Sequence, residues 1–150
     1  MGRARLALVA AGLSIALSAG AETLEVAGTI GVQKRIDRYL EVIEGGSGVE
    51  LSISSVGGGK ALLDLVEGKV AVVAISGGLD DAIAAAKRQA AAEGKTFVLP
   101  STLKLYKLAR AAGEEHPVGF ITNGDPGASM QKVLKYFRSR HGRMVMLAAR

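Results

Sequence analysis

The stretch Ser54-Ser55-Val56-Gly57-Gly58-Gly59-Lys60 decides how this chain is read. Before it, Val49-Glu50-Leu51-Ser52-Ile53 alternates apolar and polar residues, the period of a strand. After it, Ala61, Leu62, Leu65 and Val66 share one helical face, and Gly68 is a helix stop. Three glycines therefore stand where a strand hands over to a helix. Such a junction directs backbone N–H groups outward at the positive end of the helix dipole, where an anion is held without a charged side chain. The spacing is neither that of a P-loop nor Gly-x-Gly-x-x-Gly, so the meaning of the junction rests on its neighbours. A plain glycine-rich loop is the competing reading.

On either side of this junction the same pattern repeats. Thr23–Ala27 alternates as a strand and is followed by Gly28-Thr29-Ile30-Gly31. Val32, Ile36, Tyr39, Leu40 and Ile43 then recur at helical spacing, which predicts one amphipathic helix ending at Gly45-Gly46-Ser47-Gly48. Val70–Ile75 is a continuous apolar run, as in a strand buried on both faces. It ends in Ser76-Gly77-Gly78, ahead of a helix marked by Leu79, Ile83, Ala86 and Ala90, with Asp80 and Asp81 in its first turn.

Strand–helix alternation three times over predicts an α/β fold: a mainly parallel sheet flanked by helices in three layers. In such sheets ligands bind beyond the carboxyl ends of the strands, near a switch point in strand order. The three glycine-containing turns all fall at carboxyl ends, and Thr29, Ser55 and Ser76 add hydroxyls. Economical turns and caps are the alternative.

Further along, Phe97–Leu99 reads as a strand, Pro100-Ser101-Thr102 as a turn, and Leu103–Ala112 as a helix with Leu105, Leu108 and Ala112 on one face. Gly113–Pro117 reads as a loop and Val118–Ile121 as a strand. Asp125 is the expected N-cap of a last helix with Pro126 at its first position. Met130, Val133, Leu134 and Phe137 mark that helix, which is expected to stop near Gly142. Lys132, Lys135, Arg138, Arg140 and Arg143 make its exposed side basic, as on a solvated face.

Met1-Gly2-Arg3-Ala4-Arg5, the apolar run Leu6–Leu17 and the small residues around Ala19 and Ala21 have the form of a secretory leader. That run is shorter than the ~20 residues needed to span a bilayer. Cleavage after Ala21 is expected, leaving residues 22–150 as one exported, periplasmic domain. The chain has 150 residues and a formal charge of +5. Loss of Arg3 and Arg5 with no acid leaves +3, modestly basic and suited to an anionic ligand or surface. With no cysteine there is neither a disulfide framework nor a thiolate metal site. Scarce aromatics, with no Trp, together with export, argue against nucleic acid as partner. His116 and His141 lie apart from any nucleophile signature, no Gly-x-Ser-x-Gly or His-Glu-x-x-His occurs, and neither an enzyme, a cofactor nor a metal is expected.

Ala27–Val32, Ser55–Ala71 and Val73–Ser76, behind an export leader, resemble the phosphate-binding proteins of bacterial ABC transporters, which are type 2 periplasmic solute-binding proteins. His116–Pro126 is similar to the segment that returns near the C-terminus of those proteins. The resemblance runs from about residue 23 to 90 and again from about 116 to 140, and it implies that fold. It also implies that Thr29, Ile30, Gly57, Gly58, Gly59, Ser76 and Gly77 hold phosphate or a similar oxyanion, with transporter membrane subunits as partners. The chain departs from that pattern: Lys60 follows three glycines directly, Ala71 replaces an acid, and the second lobe is largely missing between residues 100 and 116. One lobe gives an open half site, and two copies facing each other would rebuild a cleft. The rival expectation is a single-lobe remnant that binds no small ligand and acts as a structural or protein-interaction module.

Overall fold

The computed structural model describes residues 22–108 and 118–149. The leader, its cleavage site and the Gly113–Pro117 loop with His116 lie outside these residues. The elements are β1 (Glu22–Gly28), α1 (Ile30–Ile36), a 3-10 turn (Asp37–Tyr39), α2 (Leu40–Ser47), β2 (Val49–Ser55), α3 (Gly58–Val66), β3 (Val72–Ile75), α4 (Leu79–Ala92), β4 (Leu103–Lys107), β5 (Gly119–Asn123), α5 (Ala128–Arg138) and α6 (Arg140–Ala148).

They form an α/β arrangement around one five-stranded sheet of order β2-β1-β3-β5-β4. β1 runs parallel to β2 and to β3, but β5 is antiparallel to both β3 and β4. The sheet is therefore mixed rather than mainly parallel. Val26, Leu51, Ala74 and Phe120 point to the face covered by α1, α2, α5 and α6. Ala27, Val73, Ile75 and Ile121 point to the face covered by α3 and α4. β3 is buried on both faces, which is why Val72–Ile75 lacks alternation. β2 keeps the buried–exposed alternation expected for it, with Val49, Leu51 and Ile53 inward and Glu50, Ser52 and Ser54 in solvent.

Several local expectations are corrected. The first helix breaks at Asp37–Tyr39 and runs through Gly45 and Gly46 to Ser47, because only Gly48 takes the left-handed conformation (φ 75°) that ends it. Phe97–Leu99 is not a strand: Phe97 is buried, whereas Val98 and Leu99 are exposed and pair with no strand among the described residues. Leu103–Lys107 is a strand instead of the start of a helix. Leu103 and Leu105 pack on one face and Tyr106 on the other, and the ladder to β5 fixes the period at two. Asp125 does not cap the last helix; Gly127 holds that position, and Asp125 pairs with Lys104 across the sheet end. Nor does that helix stop at Gly142. It breaks at Ser139 (φ −67°, ψ 162°), whose hydroxyl accepts from the Gly142 N–H at 3.1 Å to start α6. Gly142 is instead a packing residue. A Cβ there would lie 2.1 Å from the Tyr136 carbonyl oxygen.

Candidate functional site

The three parallel strands end together. Gly28 is in register with Ser55 on β2 and with Ala74 on β3. The chain reverses its direction of growth at β1: β2 is added on one side of it and β3 on the other. α1 leaves β1 over one face of the sheet, and α4 leaves β3 over the opposite face. A crevice between the two departing turns follows from that topology, and it is where Thr29 and Ser76 meet. Their hydroxyl oxygens are 3.4 Å apart.

The glycine junction comes up beside them. Gly57 has φ 86°, a conformation natural to glycine. The Val56 and Gly57 N–H groups both donate to the Gly28 carbonyl, at 3.0 and 3.2 Å, which pins the start of α3 onto the end of β1. A Cβ on Gly58 would sit 3.5 Å from Thr29 Cγ2, so Gly58 borders the hydroxyl pair. Gly31, which sequence reasoning did not single out, also borders it: a Cβ there would lie 3.1 Å from the Ser76 hydroxyl. The Gly28 carbonyl, a second contributor, leaves no trace in side-chain identity.

The donors are specific. Thr29 caps α1, its oxygen accepting from the Val32 N–H at 3.4 Å. The N–H groups of Gly58, Gly59 and Lys60 belong to the first turn of α3, where a helix supplies no acceptor of its own. Neither α1 nor α3 has an acid in its first turn, so both positive dipole ends face the crevice uncompensated. α4 is different, because Asp80 and Asp81 occupy its first turn and offset the field there. Of the two hydroxyl hydrogens, one serves the Thr29–Ser76 contact, leaving the other to donate outward.

The seven expected residues are thus distributed unevenly. Thr29, Gly58 and Ser76 come together. Gly57 shapes the turn, and its N–H is already satisfied. Ile30 is 54% exposed beside Thr29, and Gly77 is exposed after Ser76. Gly59 faces away: it is buried, and a Cβ there would lie 2.6 Å from the Ala85 carbonyl carbon of α4. Lys60 is drawn down its helix to Asp64 (2.9 Å) and toward Glu93 (3.7 Å). The hydrogen bond to Asp64 raises its pKa above the ordinary lysine value.

The crevice is open to solvent at its rim, where Ile30 and Val56 are 54% and 44% exposed. A depression of ≈ 470 Å³ adjoins it at Gly77 and Gly78, but Asp80 and Asp81 line it, which disfavours an anion. Among the described residues no group of three or more His, Asp or Glu is placed to hold a metal.

No family model matches the chain, and no curated protein matches it either. Two solved structures are similar in part. One is described as a possible phosphate binding protein from Planctomyces limnophilus DSM 3776, with 20% identity, TM-score 0.37, and coverage of 59% of this chain and 28% of that one. The other is a conserved protein of unknown function from Vibrio parahaemolyticus RIMD 2210633, with 19% identity, TM-score 0.37, and coverage of 58% of this chain and 37% of that one. This chain spans well under half the length of either structure it is similar to.

Proposed function

We propose that this protein is an exported module that holds a small tetrahedral oxyanion, phosphate or one of its size and charge, at the carboxyl edge of its parallel strands. The observation that carries this reading is the meeting of the Thr29 and Ser76 hydroxyls at 3.4 Å beside Gly58 and the unfilled first turn of α3. Backbone N–H groups of α1 and α3 supply most of the hydrogen bonds, and the Thr29–Ser76 pair adds a hydroxyl donor. Binding makes and breaks no covalent bond. An open crevice leaves part of the anion hydrated, so binding is weak until a second surface covers it. That surface is a second copy of the chain or the membrane subunits of an ABC transporter, the partner class that the sequence resemblance implies.

Thermal unfolding with phosphate, sulfate, tungstate and chloride at matched ionic strength tests this reading. A ligand that binds only the native state raises the melting temperature by mass action. A shift for one oxyanion, lost in the Thr29→Val/Ser76→Val variant, is expected. Equal shifts for all four salts would rule the reading out.

A second reading is favoured by the exposure of Ile30 and Val56. Two large apolar side chains beside a turn are also what a protein-docking edge presents, and the module then acts through a partner without any small ligand. Gly58→Leu with Ser76→Leu separates the two readings. It fills the crevice while leaving Ile30 and Val56 in place, so it abolishes an anion response but not protein docking.

A further inference from the structure

We infer that the outward face of α6 is a docking surface for an anionic lipid bilayer. This inference is independent of the anion crevice and draws on a different part of the chain. Gly142, Val145 and Met146 turn inward on α6. Arg140, Arg143, Met144 and Leu147, at i, i+3, i+4 and i+7, share the opposite side. Met144 is 60% exposed and Leu147 40% exposed, large apolar side chains that the fold leaves in water beside two arginines.

The charge around them has one sign. From Pro126 to Ala149 the chain carries Lys132, Lys135, Arg138, Arg140 and Arg143 and no aspartate or glutamate. Lys132 is neutralised by Glu22 at 2.7 Å, and Arg138 lies over the Tyr106 ring at 5.8 Å. Lys135, Arg140 and Arg143 make no ion pair among the described residues. Elsewhere Lys69 and Lys95 pair with Glu67, and Lys104 with Asp125, while Lys34, Lys87 and Lys107 are exposed without an ion pair among the described residues. On α6 the unpaired arginines stand beside protruding apolar side chains, in a segment of the chain free of acids.

That combination selects the partner. A free anion has no use for Met144 and Leu147. A specific protein partner requires roughly 800 Å² of complementary surface on each side, more than one convex nine-residue helix presents. A bilayer interface requires neither a groove nor a matched shape. Leucine and methionine insert among the acyl chains at headgroup depth, while arginine guanidinium groups hydrogen-bond lipid phosphates and snorkel along the surface. Attraction to anionic lipid is additive over the basic residues and decays within a Debye length.

Flotation with vesicles of phosphatidylcholine alone, or mixed with phosphatidylglycerol, tests the inference on the full chain. All variants share one N-terminus, so its contribution cancels. The protein is expected to float with the mixed vesicles, less so as salt rises. R140Q/R143Q is expected to weaken that binding by on the order of tenfold, and M144S/L147S severalfold. K87Q/R88Q removes the same charge from exposed positions on α4, across the sheet, and is expected to float like the parent. Unchanged melting temperatures establish that all variants are folded. No binding to mixed vesicles, or equal losses in R140Q/R143Q and K87Q/R88Q, would overturn the inference. So would full competition by soluble polyglutamate combined with no effect of M144S/L147S, which would assign the face to an acidic protein.

Discussion

Replacing Gly59 by alanine separates packing from ligand binding within the glycine junction. A Cβ at Gly59 would lie 2.6 Å from the Ala85 carbonyl carbon, 2.7 Å from its oxygen and 2.9 Å from its Cβ. All three fall short of ordinary contact, and two are backbone atoms, so no side-chain rotation relieves the clash. α3 and α4 must separate, disturbing Ala61, Leu62, Leu65, Ala82 and Ala86, which are buried around them. Alanine in place of glycine within a helix gains about 0.5–1 kcal/mol. Overpacking against backbone costs about 3 kcal/mol, the upper part of the usual range. The net loss is then about 2 kcal/mol, which for a domain of this size lowers the melting temperature by roughly 6–10 °C. Urea unfolding followed by far-ultraviolet circular dichroism measures it. Gly58→Ala is the paired control: its Cβ meets only Thr29 Cγ2, at an ordinary 3.5 Å, so it leaves stability unchanged or slightly raised. A Gly59→Ala protein as stable as the parent would refute the close approach of α3 to α4.

Three other predictions follow from separate parts of the structure. Arg35 reaches across from α1 to the end of α6, its Nε donating to the Ala149 carbonyl at 2.5 Å and its Nη2 to that of Met146 at 3.4 Å. Arg35→Gln should cost about 1–3 kcal/mol and speed hydrogen exchange in α6 before the sheet is affected; exchange mass spectrometry reads both. Glu67 is held by hydrogen bonds from Lys69 and Lys95, which lower its pKa from 4.5 to about 2. Its contribution to stability is therefore fully present above pH 4.5 and lost as pH falls toward 2. Glu67→Gln should flatten the acid side of the stability–pH curve there, and an identical slope in parent and variant would contradict this. Gly142→Ala should push α6 off Tyr136, whose carbonyl oxygen would be 2.1 Å from the new Cβ. The expected loss is at least as large as for Gly59→Ala, on the same unfolding assay.

The first half of the fold was legible because its residues obey local rules. Alternation in Val49–Ile53, the unbroken apolar run at Val72–Ile75 and the glycine after each parallel strand announce strand, buried strand and turn. β4 was not legible, because Leu103-Lys104-Leu105-Tyr106-Lys107 has an amphipathic look at either period, and only the ladder to β5 decides it. The break at Ser139 was hidden in the same way: Met130 to Phe137 and Val145 to Met146 each keep helical spacing, and the one local mark is Ser139 itself, a capping residue type that also occurs inside helices. Thr29 and Ser76 were legible as residues at the carboxyl ends of strands, where their hydroxyls meet. The separate fates of Gly58 and Gly59 were unreadable, because glycine written twice does not show which one faces a crevice and which a neighbouring helix.

An amide chemical-shift titration of the isotopically labelled protein with phosphate at constant ionic strength tests oxyanion binding at the Thr29–Ser76 crevice most directly. Saturating shifts are expected at Ile30, Gly31, Gly58 and Lys60, whose N–H groups begin α1 and α3 around the Thr29–Ser76 pair, and Ser76→Val is expected to weaken them. Shifts that chloride reproduces, or that concentrate on the basic face of α5 and α6 and leave these amides unmoved, would contradict binding at the crevice.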